Sequence, residues 1–361
     1  MKNEMLKNIL KYMTPPGNGV FTVHTAKENK DILHNKLYQT ADPKVVQEKW
    51  EKSLNTFEKN SKVSLLGVTL DTGGGIQRGA NWGPLFIRTK LEYNNLFDLG
   101  DIKTIPHLLH DKYLNTQTIK SCQQSLYQEE NELPVSALSI TEHFCNQFYQ
   151  SYPEKKLLAL GGDHSVSYAL VKPWLIHKSK QGKKVAIIHF DAHTDLMQSR
   201  LGIDICFASW AYHMIEYLDQ AENLIQLGIR SSGQNKEYWE NSLGIKQYWA
   251  DEINQNTQKI IDKIIEQIKA NNIQEVYMSF DIDALDTEYA SATGTPEKQG
   301  LSPHDCCQII DEIARHTQVT GADLVEVAPF VQSSKKGLSP EPETTLLSAK
   351  IIIDKFIEVM S

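Results

Sequence analysis

The chain has 361 residues, of which 40% are hydrophobic and 23% charged, a composition that suits a globular protein with a full core in one large α/β domain or two smaller ones. Lys+Arg number 37 and Asp+Glu 45, a net charge of −8, which argues against nucleic acid as the main partner because phosphate binding needs a basic surface. Five cysteines, an odd number without a CxxC pair, argue against a disulfide framework or a Cys-type zinc site; with no signal-peptide core and no apolar run of membrane-spanning length, the sequence reads as cytoplasmic, with no membrane partner.

Residues 1–60 are polar, carry Pro15-Pro16-Gly17 and read as an N-terminal extension with short helices, one of them near 43–59. The first convincing strand is 64–70. It runs into the Gly-rich stretch 71–84, which lacks the GxxxxGK spacing of a phosphate loop and reads as a long loop before a helix from Pro84. A strand or edge segment follows at 95–103, then a helix over 134–149, where Val135, Leu138, Ile140, Phe144 and Phe148 keep helical spacing. A short strand at 157–160 ends in Gly161-Gly162-Asp163-His164-Ser165. Ser165 is a candidate cap for the next helix, which Pro173 is expected to kink or end.

The run 185–190 is β-branched and apolar, as a buried parallel strand should be. Strands are expected at 224–229 and 245–249, and a helix over 251–272, with Ile253, Ile260, Ile261, Ile264, Ile265 and Ile268 in one stripe. The strand 275–280 ends in Asp281-Ile282-Asp283-Ala284-Leu285-Asp286. Ser302 and Pro303 read as the cap and first position of another helix, followed by a strand 322–327 that carries Glu326 and a final helix over 343–359. Alternating strands and helices argue for a mostly parallel central sheet with helices on both faces, and the absence of repeats and linkers for one domain over 61–361.

Side chains two apart in an extended segment point the same way, so Asp191, His193 and Asp195 can converge just past the strand 185–190. A solvated turn would account for that motif alone. However, 161–165, 191–195 and 281–286 each follow a predicted strand, and parallel sheets bind ligands outside the carboxyl ends of their strands. Four carboxylates and two imidazoles (His164, Asp191, His193, Asp195, Asp281 and Asp283) are too many for one tetrahedral zinc. They suit two divalent ions bridged by carboxylates, with manganese favoured by the oxygen-rich set and nickel or cobalt also accepted. His189, inside the strand, reads as a satisfied core histidine, and Asp163 and Asp286 as acids that orient ligands.

These three motifs in this order resemble the ureohydrolase family of arginase and agmatinase. The resemblance runs over roughly 60–355 and includes Ala292-Thr293-Gly294-Thr295-Pro296 and Asp323-Leu324-Val325-Glu326-Val327. It implies a three-layer α/β/α sandwich, a catalytic domain over 61–361, assembly as trimers or hexamers, and two manganese ions. One ion would sit on His164, Asp191, Asp195 and Asp281, the other on Asp191, His193, Asp281 and Asp283, with Asp191 and Asp281 bridging. Glu326 would grip the guanidinium of a substrate cleaved to urea and an amine. A formiminohydrolase on the same scaffold is the alternative, although the intact Thr293–Pro296 stretch is more like arginase and agmatinase; a non-catalytic relative would be expected to have lost ligands, and all six are present.

The chain also departs from the pattern. Relatives carry a His-Gly pair about ten residues after DxHxD, whereas 203–210 here holds no histidine and His213 is out of register. Thr287 stands where proline is usual. Arginases carry an asparagine that helps bind the α-amino-acid end of arginine; here that position is Met197, and Trp210 and its neighbours read as an apolar wall. A wall of this kind leaves a carboxylate poorly paired, so the expected substrate is a decarboxylated or simple guanidine, agmatine first, then guanidine itself or a short guanidino acid, ahead of arginine.

Overall fold

The computed structural model describes residues 2–22, 24–59, 62–73, 77–129, 131–330 and 342–361. Nine strands form among them: β1 (Met13–Thr14), β2 (Val63–Val68), β3 (Leu96–Ile102), β4 (Lys156–Gly161), β5 (Val185–Phe190), β6 (Leu224–Ile229), β7 (Lys246–Trp249), β8 (Glu275–Asp281) and β9 (Gln318–Val325). They make a single sheet in the order β1-β3-β2-β4-β9-β8-β5-β6-β7. Every neighbouring pair is parallel except β1 with β3. Crossovers between parallel strands cover both faces with helices, so both faces must be apolar. β5 illustrates this. Ala186, Ile188 and Phe190 pack into one cluster with Ile264, Ile310 and Ile353 from the covering helices. Val185 and Ile187 pack into the other, with Phe148, Leu170 and Trp174. The result is the expected three-layer α/β/α sandwich.

Four local expectations need correction. The helix expected over 251–272 is two, Ala250–Gln255 and Thr257–Ala270, parted at Asn256 (φ −162°, ψ 84°), whose side chain accepts a bond from the Lys259 amide. Asparagine caps a helix better than it continues one. The apolar stripe gives no sign of the break because Ile253 and Ile260 join the same cluster on either side of it. Pro173 does not end its helix, which runs from Val166 to Lys180 with Val171, Trp174 and Leu175 buried around the ring. Ser165 makes no side-chain cap there; its hydroxyl and its amide turn back to Asp163. β9 begins at Gln318, earlier than expected, and Glu326 stands just beyond its end. The helices Thr116–Tyr127 and Lys236–Leu243 had no clear signal, and they bury almost none of their apolar side chains.

Described residues among the first 60 pack onto the β3 side of the sheet. Met5, Ile9, Tyr12, Trp50, Leu54 and Phe57 share a cluster with Phe97, Leu99 and Phe148. The Trp50 indole donates to the Leu99 carbonyl at 3.0 Å, and Asp101 Oδ2 accepts from the Gly17 and Gly19 amides at 2.8 and 3.0 Å. Asp101 and Asp98 in turn flank the fully buried Arg88. All five cysteines are free thiols, and among the described residues no helix is long and apolar enough to cross a membrane. Trp50 ties the segment to the core beside β3. Replacing it with alanine should destabilise the protein by about 3–5 kcal/mol, as for other large buried aromatics. Chemical denaturation checks this, and an unchanged midpoint would show that the segment folds apart from the sheet.

Candidate metal centre

β4, β9, β8 and β5 are neighbours in the sheet. At or just past their carboxyl ends stand, in that order, His164, Glu326, the pair Asp281 and Asp283, and the trio Asp191, His193 and Asp195. His164 Nδ1 lies 3.1 Å from Asp191 Oδ2, 3.1 Å from Asp195 Oδ2 and 3.2 Å from Asp281 Oδ2. It is buried and makes no hydrogen bond. Two atoms bound at right angles to one ion at about 2.1 Å stand about 3.0 Å apart, so this nitrogen and the three oxygens have the spacing of ligands around one cation. The other oxygen of Asp191 lies 3.4 Å from His193 Nδ1, and that nitrogen lies 3.1 Å from Asp283 Oδ2. Asp191, His193 and Asp283 thus form a second group able to hold an ion, sharing Asp191 with the first. Asp281 turns Oδ2 to His164 while Oδ1 accepts from the Asp283 amide at 2.8 Å.

Charge alone divides this cluster. Burial raises the Asp281 carboxyl well above the ordinary range, with Asp283 and Asp191 adding to it, and burial with Asp191 raises Asp195. Asp191 goes the other way: burial opposes, but His164, His189 and His193 hold it well below its usual value. Burial also opposes protonation of the imidazoles, yet Asp191, Asp195 and Asp281 raise His164, and Asp283 with Asp191 pushes His193 up to about 12. Carboxylates that cannot all ionise unaided call for positive charge between them.

Hydrogen bonds beneath the site orient the donors. Ser279 donates to Asp323 Oδ1 at 2.8 Å and stands 3.0 Å from His164 Nε2. Its oxygen therefore accepts the Nε2 proton, and the Nδ1 lone pair faces the three carboxylates, where only a proton or a metal satisfies it. Asp323 is held in turn by Tyr277 at 2.9 Å and Ser167 at 3.1 Å.

Trp210, expected in the cavity wall, is instead fully buried under the site. Its indole donates to Asp195 Oδ2 at 2.9 Å, and its ring packs against those of His164 and His189. Asp163 accepts from the Thr72 amide and hydroxyl at 2.5 and 2.6 Å and so ties the loop after β2 to the loop carrying His164. The approach is close: a Cβ on Gly162 would strike the Leu70 carbonyl oxygen. Asp286 accepts from the amides of Glu288 and Gly300, at 2.9 and 3.0 Å, which shapes the loop after β8; it does not bond a candidate ligand's side chain.

A cavity of about 420 Å³ opens above the cluster. His164, His193, Asp195, Asp281 and Glu326 line its floor, and Met197, Phe207, Ser232 and Trp239 are among its walls. Glu326 Oε1 accepts from the His164 amide at 2.9 Å, and burial, Asp281 and Asp163 push its carboxyl well up. Glu326 and Asp195 both adopt left-handed backbone, at φ 64° and 51°. In the stretch 203–210, which holds no histidine, Ile205 and Cys206 are buried while Phe207 and Ala208 face the cavity; His213 bonds the Gln198 carbonyl. The sequence reading also passed over Arg230. Its guanidinium donates to the carbonyls of Gly228, Asp283, Leu285, Glu297 and Lys298 and fastens the loop that bears Asp283 and Thr295. A cation directly after β6, on the ligand edge, was the available signal.

A sequence profile of the arginase family matches residues 61–357. The chain belongs to the arginase family. It is 29% identical over 320 residues to a human protein named mitochondrial guanidino acid hydrolase, covering 83% of this chain and 79% of that one. It is also 29% identical over 290 residues to an agmatinase of Bacillus cereus, covering 78% and 89%. The solved formimidoylglutamase of Bacillus subtilis shares the fold, with a TM-score of 0.64 at 21% identity over 83% of this chain and 88% of the other. As an arginase-family protein, the chain is a hydrolase of guanidino compounds, in a family that depends on two metal ions. Asp283 contacts His193 and accepts from the Ala192 amide. Asp283→Ala should therefore lower bound metal while the circular-dichroism spectrum stays folded, and elemental analysis showing full metal content in the variant would refute its assignment as a ligand.

Proposed function

We propose that the protein is a dimanganese ureohydrolase whose preferred substrate is a decarboxylated guanidine such as agmatine. The observation that carries this reading is a single cavity whose floor holds His164, Asp195 and Asp281 from one group of candidate metal ligands, His193 from the other, and the carboxylate of Glu326. His164, Asp191, Asp195 and Asp281 would hold one ion and Asp191, His193, Asp281 and Asp283 the other. The pair would supply Lewis acidity and water activated near neutral pH. The oxygen-rich donor set favours manganese, with nickel or cobalt as competitors.

The chain's own residues do the rest. A guanidinium is planar and multi-donor, so a carboxylate grips it through paired charged hydrogen bonds. The His164 amide fixes one oxygen of Glu326 and so aims the carboxylate into the cavity. Thr295 donates to Asp283 Oδ2 at 3.1 Å and steadies that acid from the cavity wall. Met197 and Phe207 offer apolar surface to a methylene chain, Trp239 adds an aromatic face, and Ser231, Ser232 and Gln234 give neutral polar groups at the mouth. No lysine or arginine lines the cavity among the described residues, so a substrate carboxylate would lack a guanidinium or ammonium partner there. The human relative's name, a guanidino acid hydrolase, keeps short guanidino acids next in order.

We further propose a homotrimer or hexamer acting in the cytoplasm, where the five free thiols stay reduced; a monomer in light scattering would overturn the assembly. Glu326→Gln should lower kcat/KM by about 10- to 100-fold, the worth of a hydrogen bond to a charged group, with metal content unchanged. Near-normal turnover would remove Glu326 from the proposed mechanism. For the substrate, kcat/KM for agmatine should exceed that for arginine; arginine preferred over agmatine, guanidine and short guanidino acids would show this reading of the cavity to be wrong.

A further inference from the structure

A row of buried polar residues crosses the sheet one step below the site. In register on β9, β8, β5, β6 and β7 stand Asp323, Ser279, His189, Gln226 and Gln247. All five are fully buried, on strands whose other residues are mostly apolar. The Asp323–Ser279 end holds His164. The other end makes a continuous chain. The Trp249 indole lies 2.9 Å from Gln247 Oε1, Gln247 Nε2 lies 2.8 Å from Gln226 Oε1, and Gln226 Nε2 lies 2.9 Å from His189 Nδ1 and 2.6 Å from the Thr194 carbonyl. His189 Nε2 lies 2.9 Å from Asp191 Oδ2.

The direction of this chain is fixed from both ends. An indole N–H only donates, so Gln247 must present its oxygen to Trp249 and its amide nitrogen to Gln226. A peptide carbonyl only accepts, so Gln226 must present its nitrogen to Thr194, and therefore also to His189 Nδ1. His189 Nδ1 is thus an acceptor, the ring proton sits on Nε2, and it is donated to Asp191 Oδ2. Every donor in the chain points toward the aspartate shared by the two groups of ligands. Buried amides satisfied in only one arrangement do not rotate freely, because any flip leaves two polar groups unpaired without water.

We propose that His189 is a positioning residue for the metal centre. As a ring locked in one tautomer by Gln226 and Gln247, it holds Asp191 Oδ2 and so sets the orientation of the carboxylate that both groups of candidate ligands share. The proposal rests on the dimetal reading above. It assigns His189 no place among the ligands, although the ring lies close enough to Asp195 and His164 to be one: one of its nitrogens is given to Gln226 and the other to Asp191.

The test compares His189→Gln, His189→Leu and Gln226→Leu with the wild type by manganese titration under calorimetry, with elemental analysis of bound metal and melting curves with and without metal. The amide nitrogen of glutamine reaches about as far along the side chain as imidazole Nε2 and can still donate to Asp191. Manganese affinity in His189→Leu and in Gln226→Leu should fall by about 10- to 100-fold, as when other partners of metal ligands are removed, and His189→Gln should recover most of it. A role confined to core packing would instead lower the melting temperature of these variants equally with and without metal and leave the titration unchanged. That result overturns the proposal, as does binding in His189→Gln as weak as in His189→Leu, which would mark His189 as a ligand. If Gln226→Leu does not fold, the two His189 variants decide by the same criterion. A wild-type protein that binds no manganese, nickel or cobalt would overturn the dimetal reading itself, an outcome distinct from these.

Discussion

The fold is governed by the need to keep four aspartates close together where water is scarce. Asp191, Asp195, Asp281 and Asp283 are all buried, and three of them converge on a single imidazole nitrogen. A loop could bring such groups together only briefly, because their repulsion and desolvation would open it. Here each acid leaves the end of a strand whose position is set by its neighbours. β5 and β8 are paired along six residues, and β8 and β9 along seven, so the carboxylates cannot separate without breaking the centre of the sheet. The loops are fastened as well: Arg230 binds the chain after β8 through its carbonyls, and Asp163 binds the chain after β4 to the one after β2.

The apolar layers make this arrangement tolerable. Ile188, Phe190, Met278 and Phe280 fill one face beneath the site with hydrocarbon. On the opposite face the same strands carry His189 and Ser279, side by side in register. A parallel sheet exposes neither face, so polar residues there must satisfy one another, and this chain does it by aligning them into a row that ends on the metal-site donors. One-residue slippage of β5 would bury Asp191 in the sheet and turn His189 to the wrong layer, so the same row also specifies register.

How much of this was legible depended on the distance between cause and effect in the chain. Asp191, His193 and Asp195 could be placed on one side of an extended segment because the side-chain period of a strand is fixed, and the structure brings them together. The sheet and its layers followed from alternating strand and helix patterns. Trp210 was legible as an aromatic near the site, but its direction was not: whether it faces the cavity or Asp195 depends on how residues 196–209 turn, and no periodicity encodes that. His189 was legible as a satisfied core histidine; its partners Gln226 and Gln247 lie on strands whose pairing a single sequence does not reveal. The break at Asn256 was hidden by an apolar stripe that continues across it, and the N-terminal segment by anchors such as Trp50 that are far apart in a polar stretch.

The left-handed backbone at Asp195 and Glu326 sets activity against durability. A residue other than glycine or asparagine in this conformation is strained by roughly 1–2 kcal/mol, and both residues line the cavity floor. Glutamate is the worse placed, since aspartate tolerates the conformation better. Glycine at 326 would relieve that strain but would strand the buried His164 amide that Oε1 now satisfies. On the proposed role of Glu326 as the partner of the guanidinium, position 326 is one where chemistry is set against backbone strain. On that role, a library screened by thermal survival alone would read the backbone and the His164 bond at this position and be blind to its chemistry.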